Sequence, residues 1–341
     1  YTPEEIFHAA GMLPIRVLGV PGKTLKADAY FSSNMCSFTR SCLQAAFDGE
    51  YAFMDGLVTG NNCDHIRRLF DVWYQYQDTP FLRIFSIPNK ISEETLAFYR
   101  DELARVKRDL EKHFGLEEIS SEALRSSIEL FDRMRKLLKE VYLLRREEKP
   151  KLTGTEALEV VRAGMVMPKE EFVELLEELP AWLQERESPV EEDCPRLLLT
   201  GSEIDDVDYV QMIEQLGGLV VADDLCNGSR YFWEEVGNEG DPLADLARRY
   251  LTHTPCPRMQ PSQRRFDHLR EMIRTFDVAG VVMQYLKFCD FYCADFPLIK
   301  GALKDLDLPL LCLDREYATG GIGQMKTRVQ AFLEVLDTTA V

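Results

Sequence analysis

Several things are missing from this chain of 341 residues, and each absence removes a class of function. The sequence contains no recognisable secretory signal, although its first residue is not Met, and no apolar run is long enough to span a bilayer. Basic residues are scarce: 40 Lys and Arg against 58 Asp and Glu leave a formal net charge of −18. That balance excludes a broad phosphate-neutralising surface for nucleic acid, but not a local pocket for a small polyanion. None of the nine cysteines forms a C-x2-C pair, so the paired spacing of a structural zinc site is missing. Neither a Walker A loop nor a dinucleotide fingerprint is present, and no serine–histidine–acid arrangement can be read from the linear order. The odd cysteine count, wide spacings and lack of an export signal point to reduced thiols in the cytoplasm. What remains is a chain with 45% hydrophobic residues, long enough for about two domains and a sizeable core.

The pattern of elements predicts an α/β fold: two Rossmann-like parallel-sheet domains with a helical segment between them. The N-terminal α/β domain covers residues 1–91, the helical segment 92–187 and the C-terminal α/β domain 188–341. PEEIFHAAG (Pro3–Gly11) reads as a short helix and PIRVLGV (Pro14–Val20) as a strand. SFTRSCLQAAFDG is a helix ending at Gly49, FMDGLVTG (Phe53–Gly60) a strand, CDHIRRLFDVWYQYQ a helix and FLRIFSIP a strand closed by proline. From Ser92 a capping-box spacing opens a run of amphipathic helices with charged outer faces, ending near Glu187. After a linker, SPVEEDCP, the alternation resumes with strands RLLLTGS, GLVVADD, VAGVVMQYL and LPLLCLD, and GQMKTRVQAFLEVL closes the chain as a helix.

In doubly wound sheets, ligands gather beyond the carboxyl ends of strands. Cys63, Cys226 and Cys289 each follow such a strand, and Cys36, Cys63 and Cys289 each stand where the chain enters a helix. A helix N-terminus lowers a thiol's pKa and favours the thiolate that a metal requires. Cys42, Cys194 and Cys312 read as packing residues, since free cysteine behaves as a small hydrophobe. Dispersed thiolates suit an iron–sulfur cluster better than zinc, and three ligands on a four-iron cluster would leave one iron open for chemistry. TGGIGQMK (Thr319–Lys326) is either a nest for a phosphate or carbonyl oxygen, with Lys326 and Arg328 on the first turns of the helix it opens, or a plain turn. Asp223, Asp224, Ser229 and Arg230 line a pocket or cap the next helix. His65, beside Cys63, is either a proton donor or hydrogen-bond partner at that site or a solvated residue of a first helical turn.

Together, CSFTRSCLQAAFDGEYAFMDGLVTGNNCDHIRRLFDVW, LLLTGSEIDD, VVADDLCNGSRYFW, QYLKFCDFYCADFP and EYATGGIGQMKTRVQAFLE resemble the 2-hydroxyacyl-CoA dehydratase and benzoyl-CoA reductase family over nearly the whole chain. The second half is more similar to subunits of the ATP-dependent benzoyl-CoA reductase than to dehydratases. The resemblance implies a [4Fe-4S] cluster on Cys36, Cys63 and Cys289 and a related cluster-bearing subunit as partner, in a heterodimer or larger complex. It also implies a separate ATP-hydrolysing iron–sulfur activator that delivers single low-potential electrons. The implied activity is reduction of the ring of an aryl-CoA thioester to a cyclic diene. The alternatives are (R)-2-hydroxyacyl-CoA dehydration through a ketyl radical, and a non-catalytic or electron-transfer partner subunit. Ser229, Arg230, Gly321, Gly323 and Lys326 are the expected CoA-thioester contacts, and His65 the expected catalytic group. Cys42, Cys226, Cys256 and Cys293 exceed three ligands and leave room for a double-cubane branch.

Overall fold

The expected alternation becomes helices around two parallel sheets in a computed structural model of the chain. It describes all residues except 192, 238, 239, 318–320, 340 and 341 and the side chain of 339. Helix α1 (Glu4–Ala9) is followed by a turn in which Gly11 takes φ +75°. Then come α2 (Ser37–Phe47), β1 (Gly56–Gly60), α3 (Asp64–Tyr76) and β2 (Phe81–Phe85). The two strands run parallel, with Gly56 opposite Phe81 and Gly60 opposite Phe85. The middle is helical: α4 (Glu93–Phe114), α5 (Ser121–Leu143), α6 (Gly154–Val166) and α7 (Lys169–Glu185). Ser92 and Thr95 form the capping box that opens α4, and Gly115 ends it in the left-handed conformation.

The last third alternates β3 (Arg196–Gly201), α8 (Val207–Gln215), β4 (Leu219–Asp224), α9 (Ser229–Phe232), α10 (Pro242–Thr252) and α11 (Gln263–Thr275). It then runs through β5 (Gly280–Leu286), α12 (Asp290–Leu303), β6 (Leu310–Arg315) and α13 (Ile322–Thr339). The four strands are parallel in the order β4-β3-β5-β6. The order reverses between β3 and β5, so their carboxyl ends flank the crevice where such sheets hold ligands. Alternate residues face two cores: Leu198, Val221, Val281 and Met283 join the core shared with α5, α6, α7 and α11, while Leu197, Leu199, Val220 and Val282 face α8 and α13. Burial on both faces is why these strands read as unbroken apolar runs.

The helical middle is not set apart. Phe81 and Phe85 of β2 share a core with Tyr99, Leu103, Val106 and Leu110 of α4 and with Leu246 and Tyr250 of α10. A buried polar knot reinforces it: Arg135 of α5 binds Glu5 at 2.5 Å and Asp132 at 2.8 Å, and the Tyr250 hydroxyl donates to Glu5 at 2.8 Å. Among the described residues no helix is long and apolar enough to cross a membrane.

One expected strand is absent. Pro14–Val20 is a strap without regular structure, paired with no strand among the described residues. Side chains take its backbone groups instead: Tyr51 bonds both polar groups of Leu18, Ser41 both of Val20, and Asp205 the N–H of Gly19. The Arg16 N–H donates to the Met165 carbonyl near the end of α6. Those partners supply part of the hydrogen bonding that an apolar run would otherwise seek in a sheet.

Candidate functional site

Three helices begin at cysteines. Cys36 is the N-cap of α2, Cys63 of α3 and Cys289 of α12. The β1 strand delivers Cys63 through a tight turn, in which the Asn61 side chain accepts the Ile87 N–H at 2.8 Å. A side chain at Gly60 would put its Cβ 2.0 Å from Ile87 Cδ1, so any larger residue in this turn must displace Ile87. Strand β5 delivers Cys289 through Phe288, which holds φ +66°, and the Cys289 N–H turns back to the Leu286 carbonyl at 2.9 Å. A bulky residue in that region costs about 1–3 kcal/mol, and here the strain aims α12 into the crevice.

The geometry packs two of the thiols at one cluster and ties the segment of the third to them. Cys36, Leu286 and Tyr317 form a small buried cluster against which Phe38 and Cys289 pack. Ionising Cys63 raises Cys36, and ionising either raises Cys289, so all three lie within electrostatic reach. The Cys36 N–H donates to His65 Nδ1 at 3.2 Å, tying the first helix entrance to the second and leaving the imidazole proton on Nε2. The Ile66 N–H points at Cys63 Sγ, 3.4 Å away.

The titration of these thiols differs from the sequence expectation. Burial pushes Cys36 up to about 11 and Cys289 up to about 12, and it raises Cys63. Backbone N–H groups pull each thiol down, as helix entrances should, but desolvation is the larger effect. The thiols are therefore protonated at neutral pH without a cation, and a metal centre would displace their protons.

Among the described residues no three histidine, cysteine or acidic side chains converge closely enough to grip a single metal ion. A cubane is held differently, with each thiolate on its own iron at a separate corner. Three soft sulfur donors, peptide N–H groups turned towards them and an apolar wall match that kind of group.

The other cysteines separate by environment. Cys42 is 1% exposed inside α2, Cys312 lies within β6, and Cys194 stands in the segment before β3. Cys226 lies 3.7 Å from the Arg230 guanidinium and acts electrostatically on Cys289, while Cys256 accepts from the Tyr1 hydroxyl at 3.4 Å. Cys293, one turn along α12, is exposed.

The expected thioester contacts are differently disposed. Ser229 is fully buried and its hydroxyl donates to the Asp223 carbonyl at 2.6 Å. Arg230 grips both oxygens of Asp224 at 2.6 and 2.7 Å and donates to the Tyr292 hydroxyl at 2.5 Å. Both polar ends are committed inside the protein, because the loop after β4 needs its buried carboxylates satisfied. Thr319 and Gly320 of the glycine-rich stretch lie outside the described residues. Gly321 takes φ +90°, and Gly323 and Lys326 are exposed at the start of α13. Two surface depressions of about 520 and 400 Å³ lie elsewhere, and neither is lined by cysteine.

Sequence reasoning did not single out Glu203, Asp205 and Tyr317. Glu203 follows β3 at the crevice, and burial lifts its carboxyl to about 7. Only the acidic run EIDD after a strand end hinted at it.

Comparison with known proteins places the chain in a family. A family described as "2-hydroxyglutaryl-CoA dehydratase, D-component" matches residues 1–336. The chain is 29% identical over 334 residues to one of the benzoyl-CoA reductase subunits of Thauera aromatica, covering 96% of this chain and 85% of that one. It is 26% identical to the (R)-phenyllactyl-CoA dehydratase beta subunit of Clostridium sporogenes, with 98% and 90% covered. It is 25% identical to the beta subunit of (R)-2-hydroxyglutaryl-CoA dehydratase from Acidaminococcus fermentans, again with 98% and 90% covered.

Proposed function

From the premise that this chain belongs to the 2-hydroxyglutaryl-CoA dehydratase D-component family, we propose that it is the iron–sulfur subunit of a CoA-thioester-transforming complex. In this reading Cys36, Cys63 and Cys289 hold a [4Fe-4S] cluster, and the active assembly is completed by a related partner subunit. A separate ATP-hydrolysing activator supplies the electrons. The observation that supports the reading is that three helices begin at cysteines, of which Cys36 and Cys289 pack at one buried cluster while His65, two residues after Cys63, accepts the Cys36 N–H.

When bound, the cluster supplies single electrons of low potential. The residues around it have simpler tasks. Three helix entrances turn partial positive charge and N–H groups towards the sulfurs, which favours their anionic form once a cation replaces the protons. His65 Nδ1 holds the Cys36 backbone in place. Leu286, Tyr317 and Phe38 exclude water from the side of Cys36 and Cys289, which keeps the local dielectric low and charge interactions strong. Desolvation lifts the Glu203 carboxyl to about 7, which poises it to exchange a proton near neutrality.

We favour ring reduction of an aryl-CoA thioester, of the benzoyl-CoA reductase type, on the likeness to the Thauera protein. The likeness to dehydratase beta subunits supports a second reading, loss of the hydroxyl from an (R)-2-hydroxyacyl-CoA. The test is anaerobic co-purification with the partner subunit, then assay with activator, ATP and each thioester. Consumption of benzoyl-CoA without turnover of 2-hydroxyacyl thioesters supports the reductase, and the reverse supports the dehydratase. Turnover that is unchanged when this subunit lacks iron overturns its role as the cluster carrier.

A further inference from the structure

The strap that failed to become a strand has a use at the crevice. Its Gly19 lies against the ring of Tyr317, so closely that a Cβ there would stand 2.6 Å from the ring carbon bearing the hydroxyl. The Gly19 N–H donates to one oxygen of Asp205 at 3.1 Å, and the Tyr317 hydroxyl donates to the other at 2.5 Å. Asp205 is 2% exposed and Tyr317 is 3% exposed, so this bond pair is shielded from water.

Tyr317 also reaches both cysteine entrances. Its N–H donates to the hydroxyl of Ser37, the residue after Cys36, at 2.8 Å. Its ring meets Phe38 edge-on at 5.8 Å and packs with Cys36 and Leu286, and Cys289 lies against the same cluster. Next to it, Glu316 binds Arg40 of α2 at 3.3 Å and Lys287 of the Cys289 loop at 3.6 Å. The end of β6 therefore touches the Cys36 helix on one side and the Cys289 loop on the other.

We propose that Tyr317, locked by Asp205 and Gly19, is a positioning residue that sets Cys36 against Cys289. The three residues form a latch between the N-terminal strap and the C-terminal sheet. This rests on the proposed cluster role of the two cysteines, but the latch itself is a property of the chain and can be tested without iron.

Two readouts on the full chain test it. The first is the rate at which a ferrous chelator strips iron from protein reconstituted with ferrous iron and sulfide. The second, in the iron-free reduced protein, is bridging of Cys36 to Cys289 by dibromobimane, read by peptide mass spectrometry. Tyr317→Phe removes one buried hydrogen bond and should speed iron release about fivefold or more. Gly19→Ala displaces the ring without removing a polar group and should act in the same direction, and both should reduce bridging. Asp205→Asn serves as a near-isosteric substitute if Tyr317→Phe does not fold. Tyr250→Phe removes a buried hydroxyl bonded to Glu5, at another place, and should lower the melting temperature without changing either readout.

Wild-type rates in the Tyr317 and Gly19 variants would overturn the latch, as would an equal effect from Tyr250→Phe. If the wild-type chain takes up no iron, the cluster reading fails. Bridging then still decides the latch.

Discussion

Arg230→Met removes a guanidinium that is 4% exposed and neutralises Asp224, itself 1% exposed. The variant leaves the carboxylate buried, strips the Tyr292 hydroxyl of its donor and uncouples β4 from the first turn of α12. Removing one partner of such a buried pair costs about 3–5 kcal/mol, a large part of a total stability of about 5–15 kcal/mol. Urea unfolding of the reduced, iron-free chain at pH 7 measures the loss. Adding Asp224→Asn should recover about 1–2 kcal/mol, because the stranded charge goes with it. The pH dependence has a definite sign. Burial alone raises the Asp224 carboxyl, but Arg230 outweighs it and holds the group below the ordinary carboxylate range. In the native chain that stabilisation is present above the unfolded pKa of about 3.9 and fades as pH falls through the depressed folded value. In the variant burial is opposed only by the Thr200 hydroxyl, at 3.2 Å, and by the more weakly acting His268 and Arg265, so the deficit is full at pH 7 and shrinks as the buffer is taken towards about pH 4. A loss below about 1 kcal/mol, or one that grows on acidification, would refute the inward placement of Arg230. The guanidinium would then be free to meet a thioester.

Other outcomes follow from the same contacts. Alkylation of the iron-free chain at pH 7 should mark exposed Cys293 first and Cys36 and Cys289 well after it, because burial keeps the latter two protonated. Peptide mass spectrometry over time reads the order, and rapid labelling of Cys36 would contradict the raised thiol. Gly60→Ala forces a methyl group into Ile87 and should cost about 1–3 kcal/mol in urea unfolding. It should also weaken iron retention, because the same turn delivers Cys63. Ser92→Ala removes the α4 cap and should cost about 1 kcal/mol with iron content unchanged.

What could be read from the sequence divides along physical lines. The strands of the C-terminal sheet were legible because burial on both faces leaves unbroken runs such as Arg196–Gly201 and Gly280–Leu286. The cap at Ser92 and the cysteine entrances were legible because capping is local in sequence. Pro14–Val20 was misread because its hydrogen-bond partners, Tyr51, Ser41 and Asp205, come from distant segments. Arg230 shows a second limit. Its strand-end position suggested a pocket, but only the fold reveals that Asp224 and Tyr292 already occupy its donors. The thiols show a third: the helix entrances are visible in the chain, whereas the burial that outweighs them depends on how the strap, β6 and α12 close around Cys36 and Cys289.

Iron and acid-labile sulfide per chain, measured on anaerobically purified protein, test the cluster assignment most directly. About four irons per wild-type chain are expected for a cubane. Cys63→Ser should lose them while keeping its circular dichroism, and Cys312→Ser, altered within β6, should retain them. A wild-type chain without iron, or a Cys63→Ser chain with its full complement, would contradict the three-cysteine centre.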